Sequence, residues 1–600
     1  MAPGPMNRFA PRPTRPRWRV AWILLAVLIS SLRAAPAPAA DASSSHLRLF
    51  YWQAPTVFNP HLAAGLKDWE ACRMVYEPLA TAEADGSLVP VLAESIPSVE
   101  NGGLSPDGRW VTWTLKRGVR WSDGHPFTAA DVVSTWRFIS DPDLQCLTRD
   151  VHANVSAVEA VDPHTVRIQF SDAITAGHDW AVPFVGAEGM ILPAHVPVDR
   201  LTDCSALADV GTGPYRMTDV EVRDTILVGD DVVRVIKISY LPNPYFRTPG
   251  KPHFRRVTLH GGGDALMAAR AVLQEGAADF AWNLNLSRTA DKALRPFATG
   301  SLHFFPSPHV ERILINFTDP NRKTETGERS SLRFEHPFLA DLRVRQAIAH
   351  AVDRSAIAAL YGRSARPTPN ILVAPAQYRS PNTASRYPFD LERAADLLTA
   401  AGWTDSDGDG IRDRNGVPMR MVFQTSVSPL RQPVQEIVKS ALESIGVDVV
   451  LKVIDASIFF GNGPSDSTMK KFYADLEMFF TGNASPYPLT YMERWTCNQV
   501  AQAANGWSGL NFGRFCRPAY DRLVAEAGRE RDPAARRSLF IRMNDFLIEE
   551  VALVPLVNRH NAVGIGRSLM GVRITPWDRS TWNIADWRRC PDPGGPPEVP

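Results

Sequence analysis

Residues 405–413 read DSDGDGIRD, placing Asp405, Asp407, Asp409, Gly410 and Asp413 at positions 1, 3, 5, 6 and 9 of a calcium loop of the EF-hand kind. Carboxylates at alternate positions around a tight turn converge on one point, as a hard divalent cation requires. Position 12 is Gly416, so the bidentate Glu is missing, and an Asp/Gly hairpin turn is the competing expectation. Calcium is therefore a possible ligand, and no cofactor is required. Gly261, Gly262, Gly263 and Asp264 precede an apolar helical pattern and could cradle an anion with backbone amides, although a plain turn has the same signature. Two aromatic and amide pairs, Trp52 with Gln53 and Trp282 with Asn283, close apolar strands. An indole beside an amide suits a polar solute with apolar parts, and a core Trp beside a turn amide is the bland alternative.

Signatures of catalysis are missing. The chain contains no GxSxG, no HExxH and no GxxxxGK[ST], and the spacing of its carboxylates and histidines singles out no nucleophile. It is expected not to be an enzyme. No CxxC pair occurs and the histidines are scattered, so no zinc cluster is expected. The six cysteines, at 72, 146, 204, 497, 516 and 590, suggest structural bridges instead. Cys497 and Cys516, 19 residues apart in a Gly/Asn/Trp-rich segment, are the first expected pair, and Cys146 with Cys204 the second.

The elements that must position these residues follow from periodicity. Leu47, Leu49 and Tyr51 alternate as a half-buried strand does, and so do Val111, Trp113 and Leu115. After the turn at Ser122, Asp123 and Gly124, Thr128 and Asp131 form a capping box, opening a helix expected to bury Val132, Val133, Trp136 and Ile139. Val158 and Ala160 lead through Asp162, Pro163 and His164 into Val166, Ile168 and Phe170, a hairpin. Val344, Ala347, Ile348, Ala351 and Val352 recur at helical spacing, and so do Leu391, Ala394, Ala395 and Leu398, with Asp390 as N-cap and Gly402 past the end. Pro433 starts a third helix closed by Gly446, and Val447, Val449, Leu451 and Val453 then alternate, which is half of a βαβ crossover. Mixed helices and strands of this kind predict α/β lobes, with ligand outside the carboxyl ends of the strands.

Arg8, Arg12, Arg15, Arg17 and Arg19 precede the apolar run 20–32 and the small-residue stretch 34–40, the order of a secretory signal peptide cleaved near Ala39 or Ala40. The apolar run is shorter than the roughly 20 residues a spanning helix needs. No cysteine stands at the cleavage region, so the mature chain is expected free in a periplasm and not lipid-anchored. The first 40 residues hold six arginines and no acid, so their removal turns the formal charge of +1 into −5. Nucleic acid is excluded as a partner on that balance, because phosphate binding draws on a concentrated basic surface. The length implies two or three domains.

Several blocks stand in a telling order. Tyr76-Glu77-Pro78-Leu79, Val89-Pro90 and Leu92-Ala93-Glu94 come first, followed by GRWVTWTLKRGVRWSDGHPFTAADVVSTW from Gly108 to Trp136. Later come Gly211-Thr212-Gly213-Pro214-Tyr215, Asn243-Pro244-Tyr245, Arg345-Gln346-Ala347-Ile348, Ala400-Ala401-Gly402-Trp403, Pro518-Ala519-Tyr520-Asp521 and Val554-Pro555-Leu556. This series resembles the family 5 extracellular solute-binding proteins of bacterial ABC importers, which include oligopeptide, dipeptide and nickel receptors. The resemblance covers nearly the whole mature chain.

It implies an α/β, two-lobed, hinged periplasmic binding protein with an extra subdomain and mixed sheets flanked by helices. The corresponding division is signal peptide 1–40, first lobe 41–86, 211–315 and 556–590, extra subdomain 87–210, second lobe 316–555 and a disordered tail 591–600. The implied partners are a peptide or similar small solute and the permease subunits of an ABC transporter, with the receptor a monomer. The competing function class is a periplasmic chaperone holding unfolded segments. Peptide receptors of this family place an Asp in a short aromatic-Gly-Asp segment to pair with the ligand's ammonium. The corresponding stretch here contains Phe480, Gly482, Asn483 and Tyr487, so a neutral amide occupies the anchor position. An amide cannot neutralise a buried ammonium, and leaving one unpaired costs several kcal/mol. Either free-amino peptides bind weakly, with an N-blocked peptide, opine-like compound or sugar derivative preferred, or Asp475 or Glu477 has become the anchor. Trp282, Phe480 and Tyr487 would grip such a solute, with Asn283 and Asn483 fixing its polar groups.

Overall fold

Leu47, Leu49 and Tyr51 all turn to the buried side of the first strand, β1 (His46–Tyr51), while their neighbours stay partly exposed. The computed structural model describes residues 45–590 apart from 64, 172–179, 181–182, 204–205, 229–230, 285, 287, 295–296, 429, 461–466 and 531. The expected leader, the expected tail and Cys204 lie outside the described residues. The strands that follow are β2 (Trp110–Thr114), β3 (Val155–Asp162), β4 (Thr165–Phe170), β5 (Tyr215–Val228), β6 (Asp231–Pro242), β7 (Arg256–Gly261) and β8 (Phe280–Trp282). Then come β9 (Gly300–Ile315), β10 (Ala365–Pro367), β11 (Arg420–Ser426), β12 (Asp448–Ile454), β13 (Leu476–Thr481) and β14 (Leu553–Gly566).

One continuous sheet carries the order β12-β11-β13-β9-β14-β8-β1-β7-β6-β5, with β10 on β14. Its long members β9 and β14 run antiparallel through the whole middle of the molecule. On one side of them lies a first core drawn from residues 47–282 and 563–587, on the other a second core drawn from Ile313 to Val557. A smaller cluster around Val272, Leu284 and Ala562 packs beside the first of these. The two-lobed α/β architecture thus rests on two strands shared by both halves. Their ladder breaks where the cores part, since the register jumps between Pro306 and Val310. The broken bonds are replaced by side chains: Asn558 Nδ2 donates to the carbonyls of Ser307 (2.7 Å) and His309 (3.0 Å), and Ser307 Oγ donates to that of Arg559 (2.8 Å). A bulge held in this way is a designed bend.

The crossover read from residues 420–454 is present, for β11 and β12 are parallel and helix Arg431–Glu443 connects them. Asp390 caps its helix through Arg393 N (2.8 Å). In the subdomain, β2, β4 and β3 form an antiparallel sheet, and the capping box of Thr128 and Asp131 opens helix Ala129–Ser140. The helix buries Val132, Thr135, Phe138 and Ile139, whereas the expected Val133 and Trp136 are only half-buried. Thr135 enters the buried face because its hydroxyl is satisfied by Asp131 O (2.8 Å).

Cys497 and Cys516 are joined, with Cα atoms 4.6 Å apart. The second expected bridge is corrected: Cys146 is a buried free thiol whose Sγ faces Phe138 O. Reduction of the mature chain is expected to lower the unfolding free energy by about 3 kcal/mol on the chain-entropy account of a loop this size, measured by urea titration with and without dithiothreitol.

Two histidines give the first core an acid limit. His61 joins Thr148 Oγ1 and Met190 O, each at 2.8 Å, and burial followed by the charge of His152 pushes it down to about 3. Burial pushes His152 down to about 4. Both are neutral in the fold, so the unfolded chain binds more protons, and stability complete above pH ~6.5 falls as pH drops toward those values. At pH 5 the expected loss is about 2 kcal/mol for each histidine. Urea unfolding followed from pH 7 to 5 checks this, and His61→Gln should flatten the slope by about one proton.

Candidate functional site

Phe480 is out of place among its neighbours. In β13, Leu476 to Phe479 are buried, but the Phe480 ring remains 36% exposed next to the bend in β9. Two guanidiniums lie over it, Arg559 at 4.5 Å and Arg431 at 5.4 Å from the ring centroid. The His309 ring meets its edge at 5.2 Å. Arg431 opens helix Arg431–Glu443, where it donates Nε to Glu311 Oε1 (2.7 Å) and Nη1 to Ser426 Oγ (2.8 Å). Arg559, on β14, lies 3.9 Å from the other oxygen of the same carboxylate. Glu311 is 1% exposed and therefore anchors both arginines from inside.

A third guanidinium comes from the C-terminal segment. Burial, then the charges of Arg559 and Arg579, push His309 down to about 4, so its imidazole is neutral. Arg579 lies over Trp69 at 5.3 Å, and its buried Nε has no hydrogen-bond partner among the described residues. Burial raises Glu70 and Glu188, the carboxyls that feel Arg579, which weakens them as counter-ions. Two guanidiniums thus lie over a phenyl ring beside a neutral imidazole that also feels the charge of Arg579, with the Glu311 carboxylate bonded to one of them and 3.9 Å from the other. Such a place attracts anions.

The loop after Phe480 is fixed by backbone contact. A Cβ on Gly482 would lie 2.2 Å from Pro308 O, so only glycine lets the segment cross the bend in β9. Asn483 is 2% exposed, with Nδ2 donating to Ala374 O (2.8 Å) and Ser485 O (2.9 Å), while its Oδ1 has no partner among the described residues. Here the two cores meet: Ala374 packs with Ala82 and Trp577, Pro375 and Pro486 close on Gly86, and Tyr487 packs on the first core.

The other sequence-derived residues fall elsewhere. Trp282 is buried against Tyr51, with ring centroids 5.3 Å apart, and the Trp52 indole donates to Asn283 O (2.9 Å), so these two expected gripping pairs bond to the fold. Gln53 is exposed. The alternative anchors are corrected: Asp475 gives its oxygens to His336 Nε2 (2.8 Å) and Val422 N (2.6 Å). Glu477 points to the sheet face opposite Phe480, bonded to Gln424 (2.5 Å), and burial raises it well above the carboxylate range. The glycine run is a plain turn, since Gly262 N donates to Tyr51 O (2.9 Å) and Asp264 itself caps helix Ala265–Leu273. Asp405, Asp407 and Asp409 do gather, each offering an oxygen within 4.8 Å of the others. Asp413 is not with them, because its carboxylate accepts from Ser406 N (3.0 Å) and Oγ (2.6 Å).

Two cores joined by a pair of shared strands, with the Asn483 segment at their junction, are the geometry on which comparison with known proteins bears. Residues 87–502 match the family described as bacterial extracellular solute-binding proteins, family 5. The chain belongs to that family. Family 5 proteins are solute receptors of ABC importers, binding peptides or small solutes and working with ABC permeases, and this chain is such a solute-binding protein. It is 25% identical over 538 residues to the glutathione-binding protein GsiB of Shigella dysenteriae serotype 1, covering 88% of this chain and 92% of that one. Its fold matches the periplasmic murein tripeptide-binding protein MppA in its unliganded open form, with TM-score 0.69 and 20% identity over 91% of this chain and 98% of that one. It also matches AgaA of A. tumefaciens R10 in complex with agropinic acid, with TM-score 0.65 and 20% identity over the same shares.

Against this family 5 frame, sequence reasoning missed Arg431, Arg559, Arg579, His309 and Glu311, which come from four separate stretches of chain. One signal was available. Glu311 and Arg312 interrupt the otherwise apolar end of β9, and a carboxylate inside a buried strand demands a cationic partner.

Proposed function

We propose that this family 5 receptor captures a peptide-like anion that carries no free ammonium, such as an N-blocked peptide, an opine-like acid or an acidic sugar derivative. The observation that carries this reading is the pair of guanidiniums over Phe480 sharing the single carboxylate of Glu311, with an amide at 483. A carboxylate seated on Arg559 would complete that charge balance, whereas an ammonium would meet only the Asn483 Oδ1. AgaA, a relative in fold solved with agropinic acid, supports a small acid as solute. The lobes divide at the bend between Pro306 and Val310 and beside Asn558, inside β9 and β14, and the solute closes them by touching Phe480 on one side and Arg579 on the other. The receptor is exported by its leader, is free of a lipid anchor, and delivers its solute to the permease as a monomer.

Calorimetry with matched peptides tests this. An N-acetyl peptide with a free carboxylate is expected to bind, and amidation of that carboxylate or Arg559→Ala is expected to weaken it roughly 100-fold. Submicromolar binding of the free-amino form, unaffected by Asn483→Ala, would sink the reading.

A further inference from the structure

The Asp-Gly turn of the subdomain brings together three ligating groups that the sequence leaves 72 positions apart. His195 Nε2 lies 2.7 Å and His125 Nδ1 3.2 Å from the same oxygen, Asp123 Oδ2. The two rings are stacked, with centroids 4.1 Å apart and planes inclined by 20°. All three ligand atoms fall within 4.8 Å of one another. We propose that Asp123, His125 and His195 form a site for a borderline-soft divalent transition metal, Zn²⁺ or Ni²⁺, with water completing the shell.

The backbone that carries the groups is held before any ion arrives. Trp121 N donates to His125 O (2.8 Å) and Gly124 N to Trp121 O (2.9 Å), closing the turn, and Ser122 ties it to Asp209 O (2.7 Å). His125 N donates to Asp123 Oδ1 (3.2 Å), which leaves Oδ2 facing the imidazoles. On the other side, the buried Asp131 carboxylate accepts from Ala194 N (2.9 Å) and so fixes the residue before His195, whose ring stands edge-on to Trp121 at 6.1 Å. The Arg120 guanidinium, the nearby cation, is bonded to Gly124 O (2.9 Å). Tetrahedral bonds of ~2.0–2.2 Å put neighbouring ligand atoms about 3.3 Å apart, so binding a metal opens the 2.7 Å contact and turns the stacked rings out of parallel until both lone pairs point at the ion. Two imidazoles and one carboxylate suit Zn²⁺ or Ni²⁺ and not Ca²⁺, which takes six or more oxygens. The bound ion would tie residues 121–125 to 194–195, two stretches of the subdomain, and it is independent of the solute reading.

The experiment is calorimetric titration of Zn²⁺ and of Ni²⁺ into chelator-stripped mature protein. One equivalent is expected to bind at about micromolar Kd and to raise Tm, with His125→Gln and His195→Gln each weakening it at least about 30-fold. Asp407→Asn, in the acidic loop, should leave the titration unchanged. X-ray absorption of the Zn²⁺ form should show two imidazole nitrogens at about 2.0–2.1 Å. Binding no tighter than about 100 μM, or binding that survives the double variant His125→Gln with His195→Gln, overturns the site.

Discussion

Replacing Arg73 by Met is expected to destabilise the first core by about 3–5 kcal/mol, the usual cost of removing one partner from a buried ion pair. Arg73 and Asp578 are 1% and 0% exposed at their side chains and meet through three hydrogen bonds of 3.1 Å. Thr81 Oγ1 (2.7 Å) and Arg579 N (2.7 Å) complete the carboxylate's shell. Met fills the volume but leaves a carboxylate with no counter-charge in a dry site, and the fold must then protonate it or open. The pair links residues 505 positions apart, so its loss should free the C-terminal segment that carries Arg579 into the candidate site. Urea unfolding measures the loss, and tryptophan fluorescence reports the segment through Trp577. A double variant, Arg73→Met with Asp578→Leu, should recover much of the stability, because apolar replacement of a whole buried pair is often neutral. Equal stability of wild type and Arg73→Met would refute this account.

Gly482→Ala is expected to lower stability by about 1–3 kcal/mol, the common cost of overpacking, and to weaken solute binding by at least about tenfold. The added Cβ would stand 2.2 Å from Pro308 O and 2.5 Å from its carbonyl carbon, and these are backbone atoms that cannot rotate aside. Relief requires the strand end bearing Phe480 to move away from the bend bearing His309, or the bend to flatten. Either movement separates the phenyl ring from the imidazole and from Arg559. Unchanged Tm together with unchanged affinity would show that the segment yields without displacing the site.

Local elements were legible because their causes are local. The capping box of Thr128 and Asp131 and the N-cap at Asp390 are each written within a dozen or so residues, the crossover around residues 420–454 within a few dozen, and the structure shows each. The bridge between Cys497 and Cys516 was legible for the same reason, its loop being short. Trp282 misled because an indole at a strand end has the same pattern whether it faces a solute or, as here, Tyr51. The arginines were invisible for a different reason. Arg431, Arg559 and Arg579 look like solvated charges in sequence, and only the fold shows that two of them share Glu311. His125 and His195 were likewise dismissed as scattered, since nothing in a linear pattern announces a contact across 70 positions.

The division of the apolar cores along the chain sets an order of assembly. One core is drawn from a single unbroken stretch, Ile313 to Val557, and can close as soon as that stretch is available. The other needs Leu47 and Leu49 at one end and Val563, Ile565 and Trp587 at the other, so it stays incomplete until almost the whole chain has emerged. A polypeptide delivered amino end first therefore leaves open, until late in its synthesis, the edge of β8 that β14 covers and the apolar face that Val563, Ile565 and Trp587 complete. An open strand edge beside an apolar face recruits holdase chaperones and nucleates aggregation when none is present.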